Sequence, residues 1–380
     1  MKKLFFNFLF TYLLITLNFK CQQTIYETII HDNLQRDYIL YIPQSYNPSN
    51  PVPLLLCFHG FTSNAEVNFN YTNFKEIADT AGFILVHPQG SLLQGATHWN
   101  VGGWTTGSTT DDVSFTNTLI DTITSSYNIN TERIYSTGMS NGGYMSFLLA
   151  CQLSHRFAAV ASVTGSMTPQ TFNSCHPNHP TPILQIHGTA DGVVPYDGNT
   201  FWTMSINEVL QYWSDYNNCL TSPTITEIPN VNAFDGSTAE HHIYIGGDRG
   251  TTVEHFKVFG GDHDWPGAFG NMDFNASAEV WKFFSKYDIN GKIESSPNTI
   301  LNNSKTHSIL IYPNVVNEFI NVELEFNSNE KYQIFSTDGK LVGEGIIESN
   351  KTTINVSTLY AGSYLFKVKN SVNKFIVSRN

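Results

Sequence analysis

Hydrophobic runs alternate with segments of helical period from residue 24 to residue 287. The apolar or alternating runs predict strands at residues 24–31, 38–42, 53–58, 83–87, 133–136, 158–163, 183–187 and 253–259. Segments with the helical period lie between them, at residues 73–81, 113–127, 143–152, 204–216 and 276–287. Several strands are continuous apolar runs, which is typical of a parallel sheet covered on both faces. The pattern therefore predicts a doubly wound, mostly parallel α/β domain with its site at the carboxyl ends of the strands.

The pattern changes after residue 287. Residues 288–308 are rich in Asn, Ser and Lys without any period, which predicts a linker. From Ile309 onward, short alternating strands are separated by turn signals such as Asp338-Gly339 and Ala361-Gly362. Residues 309–380 are therefore predicted to form a small all-β sandwich.

The N-terminus has the pattern of a secretory signal peptide. Lys2 and Lys3 precede an apolar run from Leu4 to Leu17, which is short for a membrane span. Cys21 raises a lipoprotein alternative, but bulky residues stand where a lipobox needs small ones. We therefore expect residues 1–22 to be removed, leaving an α/β domain at 23–287 in a secreted or cell-surface protein.

Composition excludes several classes of partner. The chain has 380 residues, a net charge of -12 and 14% charged residues. An acidic surface repels both nucleic-acid phosphates and anionic lipid, so we expect neither as a partner. The sequence has no metal-binding cluster and no phosphate loop, so we expect no metal and no cofactor. We also expect a monomer.

Four cysteines follow Cys21, and an exported chain can oxidise them. Cys57 lies inside an apolar strand and is expected to be a buried free thiol. The other three are expected at the sheet edge opposite the site. We expect one bridge, between Cys175 and either Cys151 or Cys219.

The segment 138–142 reads G-x-S-x-G and lies between a strand-like and a helix-like run. A serine on a tight strand-to-helix turn is exposed at the sheet edge, and the flanking glycines tolerate the crowded backbone. The five letters alone also fit an ordinary turn. In this context they indicate that Ser140 is the nucleophile of an α/β-hydrolase fold.

A serine hydroxyl needs a base, and the base needs a third group to orient it. The order expected in this fold is Ser, then Asp or Glu, then His. Asp191 and His263 each lie on a loop that follows a predicted strand, on the same side as Ser140. They are the predicted acid and base. The alternative acids are Asp197, Asp262 and Asp264. The alternative bases are His241 and His242, although these two histidines match no site pattern.

An oxyanion hole needs two backbone N–H groups. Asn141 directly follows the predicted nucleophile and should supply one. The loop after strand 53–58 should supply the other, from Phe61 first and from Gly60 second. His59 begins that loop and is expected to hold it.

Aromatic residues on the loops are candidates for substrate contacts. Trp99 and Trp104 lie on a loop after a predicted strand, and Trp265 lies two residues after His263. With His59 they form the predicted substrate-binding set. The alternative is that two of the three tryptophans are packed scaffold, because Trp is usually mostly buried.

These residues together resemble the secreted polyhydroxybutyrate-depolymerase/feruloyl-esterase-like family, esterases of the carbohydrate-esterase type. The resemblance covers about residues 25–287 and includes G-M-S-N-G-G, H-G-T-A-D-x-V-V-P-Y and G-x-H-x-W-P-G. It implies a serine carboxylesterase with Ser140, Asp191 and His263 as its triad. Asp262 and Asp264 stand where the family often has small residues, a departure that removes no catalytic group.

The C-terminal segment resembles the sorting domain of the type IX (Por) secretion system. The resemblance rests on the segments 311–314, 332–341, 354–356, 361–364 and 374–377, with Val315 in place of the usual proline. It implies the type IX machinery as a partner, followed by removal of the domain or by surface attachment. The alternative is a carbohydrate-binding sandwich, for which no exposed aromatic platform is evident.

Three functions remain open at this point. The favoured one is an extracellular esterase that releases feruloyl or acetyl groups from plant polysaccharide. The second is a depolymerase of polyhydroxybutyrate or a similar polyester, although no separate substrate-binding domain is evident. The third is a catalytically inactive surface binding protein, against which the complete set of Ser, His and Asp argues.

Overall fold

The computed structural model describes residues 22–293, 309–312, 315–324, 330–336, 340–347, 349–368 and 371–379. The chain divides into two compact units, residues 1–295 and 296–380. Except for Gln22, the predicted signal peptide lies outside the described residues, as does most of the predicted linker. None of the helices in the described part is both long and apolar enough to cross a membrane.

A ten-stranded sheet organises the first unit. The strands of this unit are β1 (Gln23–His31), β2 (Leu34–Ile42), β3 (Val52–Phe58), β4 (Ile84–Pro88), β5 (Ser91–Leu93), β6 (Ala96–His98), β7 (Ile129–Met139), β8 (Ala159–Val163), β9 (Ile183–Gly188), β10 (Thr224–Ile228), β11 (Thr238–Tyr244), β12 (Val253–Phe259), β13 (Tyr287–Asp288) and β14 (Gly291–Lys292). The sheet order is β1-β2-β4-β3-β7-β8-β9-β12-β11-β10. The six central strands β4, β3, β7, β8, β9 and β12 run parallel to one another. At one edge β2 and β1, and at the other β11 and β10, each pair antiparallel with the strand before them in the sheet.

Helices cover both faces of this sheet. They are α1 (Ala65–Thr72), α2 (Phe74–Ala81), α3 (Asp112–Ser126), α4 (Asn141–Gln152), α5 (Pro169–Asn173), α6 (Ile206–Tyr216) and α7 (Ala276–Phe284). Alternate side chains of β3 enter different cores, because successive residues of a strand point to opposite faces. Leu54 and Leu56 pack with α3, α4 and α6. Leu55 and Cys57 pack with α1, α2 and α7. The predicted doubly wound α/β-hydrolase fold is confirmed.

Several elements differ from the expectations. The outer strands β10 and β11 were not predicted, because β10 is almost wholly exposed and β11 carries Glu240, His241 and His242. Helix α1 was not predicted either, since its buried face includes the polar residues Asn68 and Thr72. The hairpin β13–β14 occupies the start of the predicted linker, where Ile289 N donates to the Glu132 carbonyl (2.8 Å).

The cysteines settle the alternatives that the sequence left open. Cys151, the penultimate residue of α4, is bonded to Cys175. Cys57 is a buried free thiol, and Cys219 is free and half-buried. Of the two bridges expected, the one that forms is Cys151–Cys175, which ties the C-terminal end of α4 to the segment after α5.

The second unit is an all-β sandwich, as predicted. Its strands are β15 (Ile309–Tyr312), β16 (Val315–Val316), β17 (Phe319–Leu324), β18 (Glu330–Ser336), β19 (Leu341–Ile347), β20 (Lys351–Asn355), β21 (Gly362–Val368) and β22 (Ser371–Val377). They form one sheet in the order β15-β17-β20 and another in the order β16-β22-β21-β18-β19. A single core of residues such as Ile320, Val322, Phe366 and Phe375 joins the two sheets.

Candidate active site

The turn between β7 and α4 presents Ser140 in a strained conformation. Its φ of 54° and ψ of -119° lie outside the regions that side-chain-bearing residues favour. The backbone around it is tightly packed: a Cβ added to Gly142 would lie 2.1 Å from the Phe58 carbonyl oxygen. Ser140 N donates to the Val163 carbonyl (2.8 Å), which ties the turn to β8. The half-buried serine is thus held at the carboxyl edge of the sheet.

Asp191 and His263 meet at the same edge. Asp191 Oδ2 lies 2.9 Å from His263 Nδ1, and Asp191 Oδ1 accepts the N–H groups of Val193 and Val194 (2.8 Å each). Burial alone would raise the pKa of Asp191, but hydrogen bonds from His187 and His263 lower it well below its ordinary value. Asp191 is therefore an ionised acceptor at neutral pH, and it fixes the Nδ1–H tautomer of His263.

The alternative acids and histidines have other partners. Asp262 Oδ1 accepts Gly192 N–H (3.0 Å), and Asp264 Oδ2 accepts Asp262 N–H (3.2 Å). His241 is paired with Glu254 and His242 with Glu240, and Asp197 is exposed. Within the described part of the chain, Asp191 is the only carboxylate in an ion pair with His263.

The loop after β3 lies directly against the serine. A Cβ on Gly60 would be 3.5 Å from Ser140 Cβ. His59 is fully buried, where its Nδ1 donates to the Gly60 carbonyl (2.8 Å) and its Nε2 accepts Gly90 N–H (2.9 Å). Burial lowers the pKa of His59 to about 4, so the ring is neutral. His59 holds this loop, and its predicted place among the substrate-contacting residues is corrected.

Backbone donors face the serine from two directions. Asn141 is the first residue of α4, where N–H groups have no partner within the helix. Its side chain is fixed by Trp99, whose backbone N–H donates to Asn141 Oδ1 (2.7 Å). Among the described residues, no acceptor binds the N–H of Phe61 or of Gly60. The N–H groups of Asn141, Phe61 and Gly60 therefore stay the predicted oxyanion donors.

The tryptophans divide between scaffold and site. Trp99 and Trp265 are buried, with their indole N–H groups bonded to the His59 carbonyl (2.9 Å) and to Ser277 Oγ (3.0 Å). The prediction that these two rings contact substrate is wrong, because neither presents a face to solvent. Trp104 is half-buried, and its ring makes an edge contact with Phe61, which is 41% exposed.

Sequence reasoning missed two apolar residues on the loop that carries Asp191. Val193 is exposed, and Phe201 is 91% exposed on a turn closed by Asn199 and Thr203. The sequence offered no signal that separates these two from the other apolar residues of the same loop, such as Val194 and Trp202. The described residues contain no cluster of three or more histidine, cysteine or acidic side chains that could hold a metal ion.

Two family profiles match the chain. Residues 33–232 match the family described as "Putative esterase". Residues 310–378 match the "Secretion system C-terminal sorting domain". The first match spans more than half of the chain, and the second falls within the β-sandwich.

Named relatives extend the comparison. A bifunctional acetylxylan esterase/xylanase, XynS20E, from Neocallimastix patriciarum is 28% identical over 69% of this chain and 35% of that protein. Feruloyl esterase B from Piromyces equi is 30% identical over 50% of this chain and 37% of that protein. The chain thus spans little more than a third of the length of these two relatives.

A solved structure has the same fold. The acetyl xylan esterase from Aspergillus awamori superimposes with a TM-score of 0.50 and 13% identity, over 69% of this chain and 99% of that one. At this identity the likeness extends to the arrangement of sheet and helices alone.

Proposed function

This chain belongs to the esterase family whose profile it matches, and on that premise we propose that it is an extracellular serine carboxylesterase. The observation that carries the proposal is the 2.9 Å contact between Asp191 Oδ2 and His263 Nδ1 at the sheet edge where Ser140 is presented. A buried ionised carboxylate, an oriented imidazole and an exposed hydroxyl are the groups that acyl transfer needs.

In the proposed reaction, His263 Nε2 takes the proton from Ser140 Oγ as the oxygen attacks the ester carbonyl carbon. The developing oxyanion accepts hydrogen bonds from the N–H groups of Asn141 and Phe61, with Gly60 as the alternative donor. Collapse breaks the ester bond and expels the alcohol, which takes the proton from His263. Water then attacks the acyl-enzyme by the same steps, releases the acid and restores the serine.

We propose feruloyl or acetyl esters on plant polysaccharide as the substrates. The named relatives are acetylxylan and feruloyl esterases, which supports this class of substrate. The exposed ring of Phe61, on the loop that would bind the oxyanion, packs against Trp104, and these two rings are the proposed contacts for the acyl group. A polymer too large to import also requires an exported enzyme.

A panel of substrates tests this function in the full-length protein. The wild type, Ser140→Ala and Ser125→Ala are compared, and Ser125 serves as the control because it is an exposed serine on α3. Each protein is assayed on p-nitrophenyl acetate, methyl ferulate, acetylated xylan and a polyhydroxybutyrate suspension. We expect release of ferulate or acetate, an intact suspension, unchanged rates for Ser125→Ala and a loss of about 10⁴-fold or more for Ser140→Ala. Clearing of the suspension would instead establish a polyester depolymerase. Hydrolysis that is independent of Ser140 on every substrate would refute the mechanism.

We also propose that the type IX secretion machinery exports the chain, because residues 310–378 match the sorting domain. Deletion of residues 309–380 should retain the esterase inside cells that carry this machinery. Fractionation measures the effect, and equal export of the shortened chain would contradict the proposal. The mass of the exported protein shows whether the domain is removed.

A further inference from the structure

A second histidine contacts the carboxylate of Asp191. His187 Nε2 lies 3.3 Å from Asp191 Oδ2 and 2.8 Å from the Val194 carbonyl oxygen. The side chain is fully buried at the end of β9, so no water competes for these contacts. His187 belongs to the H-G-T-A-D motif, but the proposed reaction gives it no role.

The position of the proton on His187 follows from Gln185. The two residues are two apart on β9, so their side chains lie on the same face. Gln185 Nε2 lies 2.9 Å from the Gly165 carbonyl oxygen and 2.9 Å from His187 Nδ1. A carbonyl oxygen only accepts, so the amide must present its NH₂ group there. The same NH₂ donates to His187 Nδ1, which leaves the ring proton on Nε2.

His187 Nε2–H therefore donates to the Val194 carbonyl (2.8 Å), and the same nitrogen lies 3.3 Å from Asp191 Oδ2. Asp191 has hydrogen-bond donors on both oxygens: two backbone N–H groups on Oδ1 and His263 Nδ1–H on Oδ2, where His187 Nε2 is also in contact at 3.3 Å. These contacts remove the rotational freedom of the carboxylate. They also tie the turn that carries Asp191 to the end of β9.

We propose that His187 is a positioning residue of the esterase: its Nε2–H donates to the Val194 carbonyl and its ring lies against Asp191 Oδ2, so that it holds the turn that carries Asp191 and with it the carboxylate against His263. The proposal rests on the function proposed above. Its contribution should appear in kcat, because a misplaced imidazole slows proton transfer without weakening binding of the ester.

His255 on β12 provides a matched comparison. It is also buried, its Nδ1 donates to the Gln185 carbonyl (3.0 Å) and its Nε2 accepts the hydroxyl of Tyr196 (3.0 Å). The ring of Tyr196 lies between the two histidines, 6.0 Å from that of His187 and 5.9 Å from that of His255. Among the described contacts, none joins His255 to Asp191. Its loss should cost stability and leave the reaction rate intact.

The test compares His187→Leu, His187→Asn, His187→Gln and His255→Leu in the full-length protein. Thermal midpoints, kcat and KM on p-nitrophenyl acetate, and the downfield proton resonance of the His263–Asp191 hydrogen bond are measured. We expect a kcat loss of roughly 10- to 100-fold for the Leu and Asn variants, because a small displacement of the carboxylate misplaces the imidazole that it orients. Their KM should be unchanged and their downfield resonance shifted or lost.

The glutamine variant supplies the rescue. The amide nitrogen of Gln reaches the place of histidine Nε2, whereas that of Asn does not, so His187→Gln should recover most of kcat and the resonance. Equal kcat losses in His187→Leu and His255→Leu, or no advantage of Gln over Asn, would overturn the proposal. If the wild-type protein shows no Ser140-dependent hydrolysis, the proposed function fails instead.

Discussion

The two sides of the candidate site share close backbone packing, and they differ in the hydrogen bonds that carboxylates add on the acid–base side. On the nucleophile side, backbones touch where side chains are absent: a Cβ on Gly142 would lie 2.1 Å from the Phe58 oxygen, and one on Gly143 would lie 3.0 Å from Gly165 Cα. On the acid–base side the backbone is packed as closely, since a Cβ on Gly188 would lie 2.1 Å from the Gly261 oxygen, and carboxylates bind backbone N–H groups in addition. Asp191 accepts from its own turn, and Asp273 accepts from Val231 and Asn232 (2.8 and 3.0 Å).

The difference follows from what each side must do. An attacking hydroxyl and an oxyanion hole need a backbone that does not move, and steric contact provides that rigidity. A base must have the correct tautomer and charge, which hydrogen bonds to a carboxylate set directly. Substitutions of the close-packed glycines should therefore lower stability first, and those of the carboxylates should lower activity first.

The largest expected effect is on the acid–base side. Asp191→Asn keeps the shape of the side chain but allows its amide to donate to His263, which favours the wrong tautomer. We expect kcat to fall by about 10⁴-fold, and the thermal midpoint to fall as well, because the neutral amide loses the stabilisation that accompanies the lowered pKa of Asp191. Asp262→Asn is the matched control, because Asp262 accepts only Gly192 N–H beside the site. Similar kinetics in the two variants would show that the wrong acid has been assigned.

Gly142→Ala tests the packing on the nucleophile side. The added methyl would overlap the Phe58 carbonyl, so β3 or α4 would have to shift to accommodate it. We expect a loss of more than about 4 kcal/mol in the free energy of unfolding, or no folded protein. Gly192→Ala is the control beside Asp191, since its Cβ would meet only Asp262 Oδ1 at 3.9 Å. Equal urea midpoints for the two variants would contradict the comparison.

The disulfide should stabilise the same side, because it anchors the far end of α4. Cys151 and Cys175 are 24 residues apart, and closing a loop of this length stabilises a fold by about 3 kcal/mol. Replacing both by serine should lower the free energy of unfolding by this amount while Ser140-dependent hydrolysis persists at 25 °C. Cys219→Ser, at a half-buried free thiol, is the control. A double variant that stays as stable as the wild type but loses kcat at 25 °C would contradict this account.

Acid should weaken the nucleophile side through buried neutral histidines. Burial lowers the pKa of His59 to about 4 and that of His87 to about 3, from 6.5. The unfolded chain takes up these protons first, so their contribution to stability is complete above pH 6.5 and is lost as pH falls towards 4. We expect about 1.4 kcal/mol per pH unit for each histidine. Urea midpoints between pH 7 and 4.5 should show a shallower slope for His87→Leu than for the wild type.

Much of the fold and of the site could be predicted because the relevant signals are local. Apolar runs set the inner strands, and the loops that follow them carry Ser140, Asp191 and His263 in the order that the fold requires. The structure brings Asp191 to His263, as expected, and places the loop of Gly60 against Ser140. The catalytic roles of these residues stay predictions.

The remainder depends on packing that one sequence does not encode locally. Trp99 and Trp265 have the same local pattern as an exposed tryptophan, and only the tertiary structure buries them. Strand β10 pairs at the edge of the sheet through its backbone and has little apolar pattern to reveal it. The role inferred for His187 depends on the orientation of the Gln185 amide, which the tertiary structure sets and the sequence does not reveal.

The most direct test of the central claim is covalent labelling of the nucleophile. The full-length protein is treated with a fluorophosphonate and digested, and its peptides are analysed by mass spectrometry. The account predicts one adduct on the peptide that carries Ser140, absent in Ser140→Ala and much slower to form in His263→Ala. A protein that hydrolyses esters while Ser140 stays unmodified, or that is labelled at another residue, would contradict it.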